Sequence, residues 1–590
     1  MVHVILMSMG QWGWSMGDHV YSKEDFQWRE PKQSRKWFLG WWLCLVLGVG
    51  VLLLRAMELQ VWSGEYFYAR ADDQRMRLVS IPASRGIIYD RNGEPLVRNV
   101  PVFRKLMIDP AKGLYLAVID REEALAMKEI DEQVQVVEAV DRQYLYGKEL
   151  AHVLGYLGET NEDEINASGL VNQVCAKKLE LGSLIGRAGI ESWLDCTLRG
   201  NDGTLLLEVD TSGGMVREFG REAPVSGNRV DLTIDLGLQK KAYESMGDKV
   251  GALVAMDPSN GEVLAMVSTP SYDPEWFGLK SRIDAKFQTN ESLNDLFNAP
   301  GKPLLNRAVS SMYPPGSVFK LVTALAGLEE NKIDANDLYT DTGIVQMGTY
   351  QFRNWYYLKY GAGEGSMNVV RALARSTDTF FYDLGGKIGP DGMAMWARNL
   401  GYGTLTGIEI PGEARGLIPD PEWKLSVKNE RWYLGNSYHM SIGQGDVLVT
   451  PIQVAEVTSV FANEGTICAP HLVKSDGKCN KVNVSSTNLE TVIAGMRAAC
   501  SPGGTASVFN EVAYGVGCKT GTAEYGPRDE YGRRETHGWI TVMGMGKNDV
   551  TEGDVKPFVV SVLVEGGGEG SVVAAPIAKE VMDYWYGREN

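Results

Sequence analysis

Ser317 and Lys320 lie three positions apart, directly before an apolar run with helical spacing, 321–330 (LVTALAGLEE). The preceding segment 313–316 (YPPG) is irregular, so Ser317 is predicted to lie at a helix N-terminus and to share one helix face with Lys320. A serine hydroxyl is a weak nucleophile until a base takes its proton, and a partly desolvated lysine can be that base because burial lowers its pKa. The pair therefore indicates nucleophilic catalysis by serine.

The Ser-x-x-Lys spacing alone is weak evidence, because the chain holds a second copy at Ser475 and Lys478. That copy lies in a polar, turn-like stretch that no apolar helix follows, and we reject it as a catalytic pair. The first copy gains support only from other residues of suitable chemistry.

Two further polar elements follow Ser317 along the chain. One contains Ser376 and Asp378 in the segment 376–382 (STDTFFY), and the other is the segment 519–524 (KTGTAE). The second element combines a cation, two hydroxyls and a glycine that lets the backbone approach a substrate closely. On an edge strand it is predicted to pair with an extended peptide, with its cation and hydroxyls facing a carboxylate.

The order S-x-x-K, S-x-D, K-T-G resembles the motif set of β-lactamases and penicillin-binding proteins. Three further segments are similar to blocks of class B penicillin-binding proteins: 85–93 (RGIIYDRNG) to the pedestal start, 251–274 (GALVAMDPSNGEVLAMVSTPSYDP) to the opening of the catalytic domain, and 443–453 (GQGDVLVTPIQ) to a later block. By this resemblance the chain is identified as a member of that class. Asp378 and the segment 574–578 (AAPIA) favour its elongation-specific group, penicillin-binding protein 2.

The resemblance implies a role in acylation for five residues. Ser317 would be the nucleophile and Lys320 its base. Ser376 would relay protons with Lys519 close by, and Asp378 would help to order Lys320 and the substrate amide. Lys519 is expected to be a charged anchor that raises the affinity for a donor bearing a carboxylate.

The same resemblance implies substrate-binding residues on the K-T-G-T segment. Thr520 and Thr522 would bind the terminal carboxylate of the donor, and Gly521 between them would allow its close approach. The backbone N–H groups of Ser317 and Thr522 would form an oxyanion hole, in which one donor contributes roughly 3–4 kcal/mol.

The strand-like runs predict one antiparallel sheet assembled from distant parts of the chain. The runs 251–257 and 262–268, joined by a turn-forming PSNG, predict a hairpin, and the runs 538–545 and 557–565 form a second pair before a predicted helix at 575–585. The predicted fold is α+β: a transpeptidase domain of the penicillin-binding and serine β-lactamase type, with an antiparallel sheet flanked by helices, on a mixed N-terminal pedestal.

The segment 37–54 (WFLGWWLCLVLGVGVLLL) is uncharged, and as a helix it would rise about 27 Å, close to the thickness of a hydrocarbon core. Lys32, Arg35 and Lys36 precede it, so the positive-inside rule places the N-terminus in the cytoplasm and the bulk of the chain in the periplasm. No A-x-A cleavage signal follows, which predicts an uncleaved, single-pass anchor in the bacterial inner membrane. The predicted domains are a cytoplasmic tail (1–36), a transmembrane anchor (37–58), an extracytoplasmic pedestal (59–235) and a transpeptidase domain (236–590).

Two segments of the predicted pedestal carry clear local signals. The segment 90–93 (DRNG) predicts a turn between two apolar runs, because Asn-Gly tolerates positive φ. The segment 186–191 (GRAGIE) opens a predicted helix. Its glycines do not match the phosphate-binding pattern G-x-x-x-x-G-K-[ST], so we interpret them as structural.

The composition excludes several other kinds of site. A net charge of −17 and a pI near 5.0 argue against nucleic-acid binding, which needs a basic surface. The seven cysteines include no C-x-x-C pair, and their odd number leaves at least one thiol free, for which Cys44 in the apolar segment is the best candidate. Some elongation-type relatives carry zinc between the first two motifs, but residues 321–375 contain neither cysteine nor histidine here. No metal and no cofactor are predicted.

The resemblance to class B penicillin-binding proteins implies a serine-type peptidoglycan D,D-transpeptidase that cross-links stem peptides ending in D-Ala-D-Ala during cell-wall elongation and cell-shape maintenance. β-Lactam antibiotics are expected to acylate it. The alternatives are a division- or sporulation-type class B transpeptidase and a D,D-carboxypeptidase. A β-lactamase would need neither anchor nor pedestal, and a β-lactam sensor would need several membrane spans.

The predicted partners follow from a missing activity. No glycosyltransferase domain precedes the transpeptidase domain in the sequence, so glycan polymerisation is expected to come from another protein. By family resemblance that partner is a SEDS-type glycosyltransferase, which would contact the anchor and pedestal together with other membrane proteins of the elongation complex.

Overall fold

A computed structural model of the chain describes residues 35–588, except for 110–112, 131–135, 166–182, 210–214, 279–289, 531 and 548–555. The first of two compact units ends at Met76, and the second begins at Arg77. Most of the predicted tail, with Lys32, lies outside the described residues, and so does Cys175.

The first unit contains the helix predicted from the apolar segment. Helix α1 (Arg35–Met57) continues through a π-helical turn (Glu58–Trp62), and α2 (Gly64–Arg75) follows. The stretch Trp37–Trp62, 26 residues, is long and apolar enough to cross a membrane. Cys44 on α1 is a free thiol, as the sequence predicted.

Several small sheets build the N-terminal region of the second unit, residues 77–235. The strands are β1 (Met76–Ile81), β2 (Ile88–Tyr89), β3 (Val97–Asp109), β4 (Gly113–Ile119), β5 (Val136–Tyr144), β6 (Leu157–Glu159), β7 (Leu184–Gly186), β8 (Gly203–Val209), β9 (Met215–Glu222) and β10 (Val230–Asp231). They form the sheets β1-β8-β9 and β4-β3-β5, the parallel pair β2-β10 and the antiparallel pair β6-β7. The helices are α3 (Arg121–Ile130), α4 (Gly147–Leu154), α5 (Gly189–Trp193) and α6 (Asp195–Leu198).

The two local predictions for this region are confirmed. The turn at 90–93 follows β2, with Gly93 at φ +87°. The Asp90 carboxylate closes it by accepting the backbone N–H groups of Asn92 and Glu94, each at 2.8 Å. The segment 186–191 leads into α5, so its glycines serve a strand-to-helix connection.

The C-terminal region, residues 236–588, is built on the predicted antiparallel sheet, whose strand order is β12-β11-β21-β20-β19. Every neighbouring pair runs antiparallel, and the two predicted strand pairs meet where β11 hydrogen-bonds to β21. The five strands are β11 (Gly251–Met256), β12 (Val263–Thr269), β19 (Tyr514–Tyr525), β20 (Glu535–Lys547) and β21 (Phe558–Val564). Short hairpin strands lie apart from it: β13 (Tyr339–Asp341), β14 (Ile344–Met347), β15 (Tyr350–Arg353), β16 (Gly365–Met367), β17 (Thr466–Cys468) and β18 (Cys479–Lys481).

Helices cover both faces of the central sheet, because its strands are apolar on both faces. The helices are α7 (Leu236–Met246), α8 (Asn290–Asn298), α9 (Arg307–Ser310), α10 (Lys320–Glu329), α11 (Trp355–Tyr360), α12 (Val369–Arg375), α13 (Asp378–Asn399), α14 (Pro421–Lys428), α15 (Leu434–Ser441), α16 (Pro451–Ala462), α17 (Ser486–Cys500), α18 (Gly570–Val573) and the predicted C-terminal helix α19 (Ala575–Gly587). Along β11, Val254 belongs to the core cluster that contains α10 and α16, whereas Leu253 belongs to the cluster that contains α7 and α19.

The larger of these core clusters runs through both regions of the second unit. It includes Ile88 and Leu150 from the N-terminal region as well as Val254 and Phe381 from the C-terminal region. A polar contact adds to it, since the Glu275 carboxylate accepts the backbone N–H of Tyr144 at 2.7 Å. The N-terminal region is therefore a packed support for the region that carries the sequence motifs.

Candidate active site

Ser317 lies in a 3₁₀ turn, Gly316–Phe319, that leads directly into α10. The sequence predicted a helix N-terminus, and the difference is small, because residues i and i+3 eclipse in a 3₁₀ turn. Ser317 and Lys320 therefore still lie on one side of the chain. The rejected copy at Ser475 lies in an irregular stretch before β18, with no helix behind it.

Glycines bring the nucleophile turn against two neighbouring segments. Gly316 has φ +54°, and a Cβ there would lie 2.7 Å from the carbonyl oxygen of Thr522. A Cβ on Gly443 would lie 2.2 Å from the Gly316 carbonyl oxygen. The backbone N–H of Gly316 in turn donates to the Gly443 carbonyl at 2.9 Å. Only glycine fits these approaches, so the turn is held against β19 and the 443–445 segment.

Lys320 is completely buried and extends toward the second motif. Its Nζ donates to Asp378 Oδ1 at 2.7 Å, to the Ser376 carbonyl at 2.8 Å and to Ser376 Oγ at 3.2 Å. Burial lowers the pKa of Lys320, while the Asp378 carboxylate opposes that change. The lysine is thus held in place by an anion and is easier to deprotonate than an exposed lysine.

The second motif forms a tight turn between α12 and α13. Ser376 ends α12 in the left-handed conformation, φ +56° and ψ +40°, which is uncommon for a residue with a side chain. Asp378 begins α13, where the helix N-terminus favours a negative charge. Its second carboxylate oxygen accepts the backbone N–H of Trp355 at 3.0 Å.

Lys519 on β19 reaches the same serine from the opposite side. Its Nζ donates to Ser376 Oγ at 2.9 Å and to the Thr520 carbonyl at 3.0 Å, and the side chain is fully buried. Burial lowers the pKa of Lys519 far below its usual range, and the Lys320 cation lowers it further. The charge expected of Lys519 from the sequence is therefore opposed by its surroundings, at least while no substrate carboxylate is bound.

The remaining motif residues lie along β19 at the edge of the sheet. A Cβ on Gly521 would lie 2.9 Å from the Pro315 carbonyl oxygen, which again requires glycine where the strand meets the nucleophile turn. Thr522 is exposed, and the Thr520 hydroxyl donates to Thr505 at 2.8 Å. The structure thus brings the predicted site residues into one place: Ser317, Lys320, Ser376, Asp378, Lys519, Thr520, Gly521 and Thr522.

Three contacting residues could not be identified from the sequence. Thr505 hydrogen-bonds Thr520, Gln444 Nε2 donates to the Thr522 carbonyl at 3.4 Å, and Asn354 Oδ1 accepts the backbone N–H of Asp378 at 3.2 Å. Gln444 falls in a family-like block, which was its only signal. Thr505 and Asn354 lie in segments without a motif, and their partners are distant along the chain.

Among the residues that the structure describes, no group of three or more histidine, cysteine, aspartate or glutamate side chains is arranged to hold a metal ion. In the interval between the first two motifs, the Asp341 carboxylate accepts a hydrogen bond from Thr379 Oγ1 at 2.6 Å.

Two disulfides lie in the C-terminal region. Cys468 pairs with Cys479 across the β17–β18 hairpin, and Cys500 pairs with Cys518. The second disulfide joins the end of α17 to the residue immediately before Lys519. It therefore ties the K-T-G strand covalently to a helix that flanks it.

Comparison with family models gives two matches. Residues 251–583 match the penicillin binding protein transpeptidase domain, and residues 113–232 match the penicillin-binding protein dimerisation domain. The first match spans the Ser317, Ser376 and Lys519 motifs, and the second lies in the N-terminal region.

Known proteins and solved structures show the same similarity over most of the chain. The peptidoglycan D,D-transpeptidase MrdA of Acinetobacter baumannii is 31% identical, over 95% of this chain and 90% of that protein. The complex between PBP2 and MreC from Helicobacter pylori has a TM-score of 0.72 at 25% identity, covering 87% of this chain and 99% of that chain. A structure of a peptidoglycan synthase complex that coordinates polymerization and crosslinking has a TM-score of 0.71 at 31% identity, covering 93% and 98%.

Proposed function

The chain belongs to the penicillin-binding protein transpeptidases, and on that premise we propose that it cross-links peptidoglycan through an acyl-enzyme on Ser317. It is a serine-type peptidoglycan D,D-transpeptidase of the penicillin-binding protein 2 type and acts in cell elongation. The proposal concerns the residues that perform the reaction and the place of each in it.

In the first half-reaction, Ser317 Oγ attacks the carbonyl carbon of the penultimate D-alanine of a donor stem peptide. Lys320 accepts the hydroxyl proton as the C–O bond forms. The C–N bond to the terminal D-alanine then breaks, and that amine leaves with a proton delivered through Ser376. The product is an ester between the donor peptide and Ser317.

In the second half-reaction, an amine of another stem peptide attacks the ester carbonyl. The amine loses a proton to the lysine–serine network, the ester bond breaks and Ser317 Oγ regains its proton. The overall reaction exchanges one amide for another and releases one D-alanine. A β-lactam follows the first half-reaction only, because its opened ring remains attached and the amine acceptor is kept away.

The contacts of Ser376 support its proposed role as the proton relay. Its hydroxyl lies 3.2 Å from the Nζ of Lys320 and 2.9 Å from that of Lys519, so it connects the two amines. The position of Ser376 between the two amines is the single observation that carries the proposal, because a buried serine between two buried lysines has no evident value for packing.

The donor carboxylate is proposed to change the charge state of this site. Bound near Thr520 and Thr522, it would add its negative charge to that of Asp378 and would favour the protonated form of Lys519. The resulting cation would lower the pKa of Lys320, which must be neutral to act as base. Substrate binding would thereby activate the base, and the N–H groups of Ser317 and Thr522 would stabilise the oxyanion.

The chain is a membrane-anchored periplasmic enzyme. We propose that its N-terminus is cytoplasmic, that 37–58 is the anchor, and that the pedestal (59–235) and transpeptidase domain (236–590) lie outside. A reporter that is active only outside the cytoplasm should be active when fused to the C-terminus. Activity of a reporter that works only in the cytoplasm would contradict this topology. A SEDS-type glycosyltransferase and an MreC-like protein are the proposed partners. The second is supported by the Helicobacter pylori complex of PBP2 and MreC, and the first by the family resemblance and by the similar peptidoglycan synthase complex that coordinates polymerization and crosslinking.

Mass spectrometry after incubation with penicillin tests the assignment of the nucleophile. The full-length chain should gain one acyl group, and peptide mapping should place it on Ser317. Ser317→Ala should abolish the adduct, whereas Ser475→Ala, at the rejected motif copy, should retain it. An adduct on the peptide that contains Ser475 would contradict the proposal.

A further inference from the structure

A cluster of polar side chains from the segments between the Ser317 and Ser376 motifs hydrogen-bonds to the turn that carries Ser376. Its members are Asp341 on β13, Asn354 before α11 and Glu364 before β16, and the sequence motifs include none of them. Asp341 is 2% exposed, Asn354 is fully buried and the Glu364 side chain is 4% exposed. Burying two carboxylates so completely is costly unless their partners compensate for it.

Glu364 contacts the residues on both sides of Ser376. Its Oε1 accepts Arg375 Nε at 2.7 Å, and its Oε2 accepts the Thr377 hydroxyl at 2.9 Å. Thr377 is fully buried, so no water competes for this hydroxyl. The Glu364 carboxylate therefore holds both sequence neighbours of Ser376 in place.

Asn354 links this carboxylate to the next catalytic residue. Its Nδ2 donates to Glu364 Oε2 at 3.2 Å and to Asp341 Oδ2 at 3.0 Å, while its Oδ1 accepts the N–H of Asp378 at 3.2 Å. Asp341 completes the network by accepting the N–H of Glu364 at 2.8 Å. The position of Asp378 thus depends on a chain of hydrogen bonds that begins at Glu364.

The Ser376 turn needs such support because its backbone is strained. A non-glycine residue in the left-handed region persists only where its surroundings enforce that conformation. The position of Lys320 also depends on this turn, because Lys320 donates a hydrogen bond to the Ser376 carbonyl. A looser turn would therefore misplace both the relay hydroxyl and the anion that orients the base.

Glu364 also acts on Lys320 through its charge. The charged groups around the lysine are Asp378 on α13, Lys519 on β19 and Glu364, while Ser376 and the ring of Phe381 are its uncharged neighbours. A negative charge at Glu364 favours the protonated form of Lys320 and so raises its pKa.

We propose that Glu364 is a positioning residue for acylation: through Thr377, Arg375 and Asn354 it fixes the turn that carries Ser376 and Asp378, and its charge acts on Lys320. This inference rests on the proposed function, since it presumes that Lys320 is the base for Ser317. It adds a residue outside the three motifs to the set that the reaction requires.

Two substitutions separate the positioning effect from the charge effect. Glu364→Gln removes the charge, and Lys320 then loses its proton more readily. The acid limb of the acylation rate should therefore move to lower pH than in the parent. Thr377→Val removes a hydrogen bond to Glu364 without changing any charge. Its maximal rate should fall roughly 10-fold with the acid limb unmoved.

The measurement is stopped-flow acylation of the full-length chain in detergent by a saturating chromogenic β-lactam across pH. Glu329→Gln is the matched control, because it removes a carboxylate at the far end of α10, where it accepts Ser485 N at 2.8 Å. Nine residues of helix separate it from Lys320, a rise of about 14 Å. The control should keep the rate and acid limb of the parent.

Each outcome decides the inference. Parent-like rates and pH dependence in both Glu364→Gln and Thr377→Val would overturn it, as would a Glu364→Gln chain that melts earlier but keeps the parental acid limb. If Glu364→Gln does not fold, a parent-like maximal rate in Thr377→Val overturns it and a reduced one supports it. Failure of the parent itself to be acylated would refute the proposed function instead.

Discussion

Two of the buried charge clusters in the described part of the second unit differ in their balance of charge: one lies around Glu191 in the N-terminal region, the other around Lys320 and Lys519. In the first, Arg85 donates to Glu191 at 2.8 Å and to Asp195 at 2.9 Å. Arg142 binds the other carboxylate oxygen of Glu191 at 2.7 Å, and Glu191 is fully buried. Each guanidinium in this cluster faces a carboxylate.

The catalytic cluster is built on different cations and with fewer anions at hand. Lys320 has Asp378 as a hydrogen-bonded carboxylate, whereas the hydrogen bonds of Lys519 go to a hydroxyl and a backbone carbonyl. Arginine does not lose its proton in proteins, but a buried lysine does so readily. On the proposed mechanism, the comparison separates charges that stabilise the fold from charges that move protons.

Removing Lys320 should produce the largest effect, and only on chemistry. Without its base, Lys320→Ala should be acylated by a saturating chromogenic β-lactam about 10²–10⁴-fold more slowly than the parent. Its melting temperature should stay within about 5 °C, since active-site residues are seldom selected for stability. Near-parental acylation would refute a lysine base and would direct attention to Asp378 or to a water molecule.

Removing the charge of Glu191 should have the opposite character. Glu191→Gln leaves two buried guanidinium groups without their shared anion, which should cost roughly 3–5 kcal/mol of unfolding free energy. The acylation rate per correctly folded molecule should be unchanged. Glu208→Gln is the control, because its partner Arg217 is exposed, and such surface pairs contribute about 0–1 kcal/mol. Equal melting temperatures for Glu191→Gln and Glu208→Gln would contradict the claim that the charge cluster around Glu191 stabilises the fold.

The effect of Lys519→Arg should be intermediate. Arginine keeps the positive charge but lacks the compact ammonium group. It also does not lose its proton, whereas burial at this position favours the neutral form of a lysine. Saturated acylation should slow by roughly 10-fold and remain measurable, in contrast to Lys320→Ala. A rate as low as that of Lys320→Ala would show that Lys519 takes part in proton transfer and is more than an anchor for the carboxylate.

The smallest effect concerns the pH dependence of stability. Burial raises the pKa of Glu191, but Arg142 and Arg85 outweigh it, so the pKa in the folded state is lowered. Its stabilisation is therefore fully present above about pH 4.3, the unfolded value, and is lost as pH falls through the folded pKa. The difference in melting temperature between the parent and Glu191→Gln should be constant from neutral pH to about pH 5 and shrink below. A difference that varies near pH 7 would contradict this pairing.

The sequence predicted the sheet and the motif residues because both depend on local patterns. Alternation and turn residues identify strands such as 251–257. The spacing of three between Ser317 and Lys320 places both residues on one face of any helical turn. The protonation of Lys519 was less predictable, since it depends on burial and on Lys320, which lies far away along the chain. The same holds for Glu364 and Thr505, whose roles exist only through contacts with other segments.

The central strand of the catalytic sheet is the last one in the sequence, because β21 (Phe558–Val564) lies between β11 and β20. During synthesis, β11 and β12 therefore have to wait for some 290 residues before the strand that joins them to β20 and β19 is available. Lys519 lies on β19, at the edge of that sheet, and from there donates to Ser376 Oγ at 2.9 Å. On the proposed mechanism we therefore expect a growing chain to react with a β-lactam only after β21 has been made and has joined the sheet.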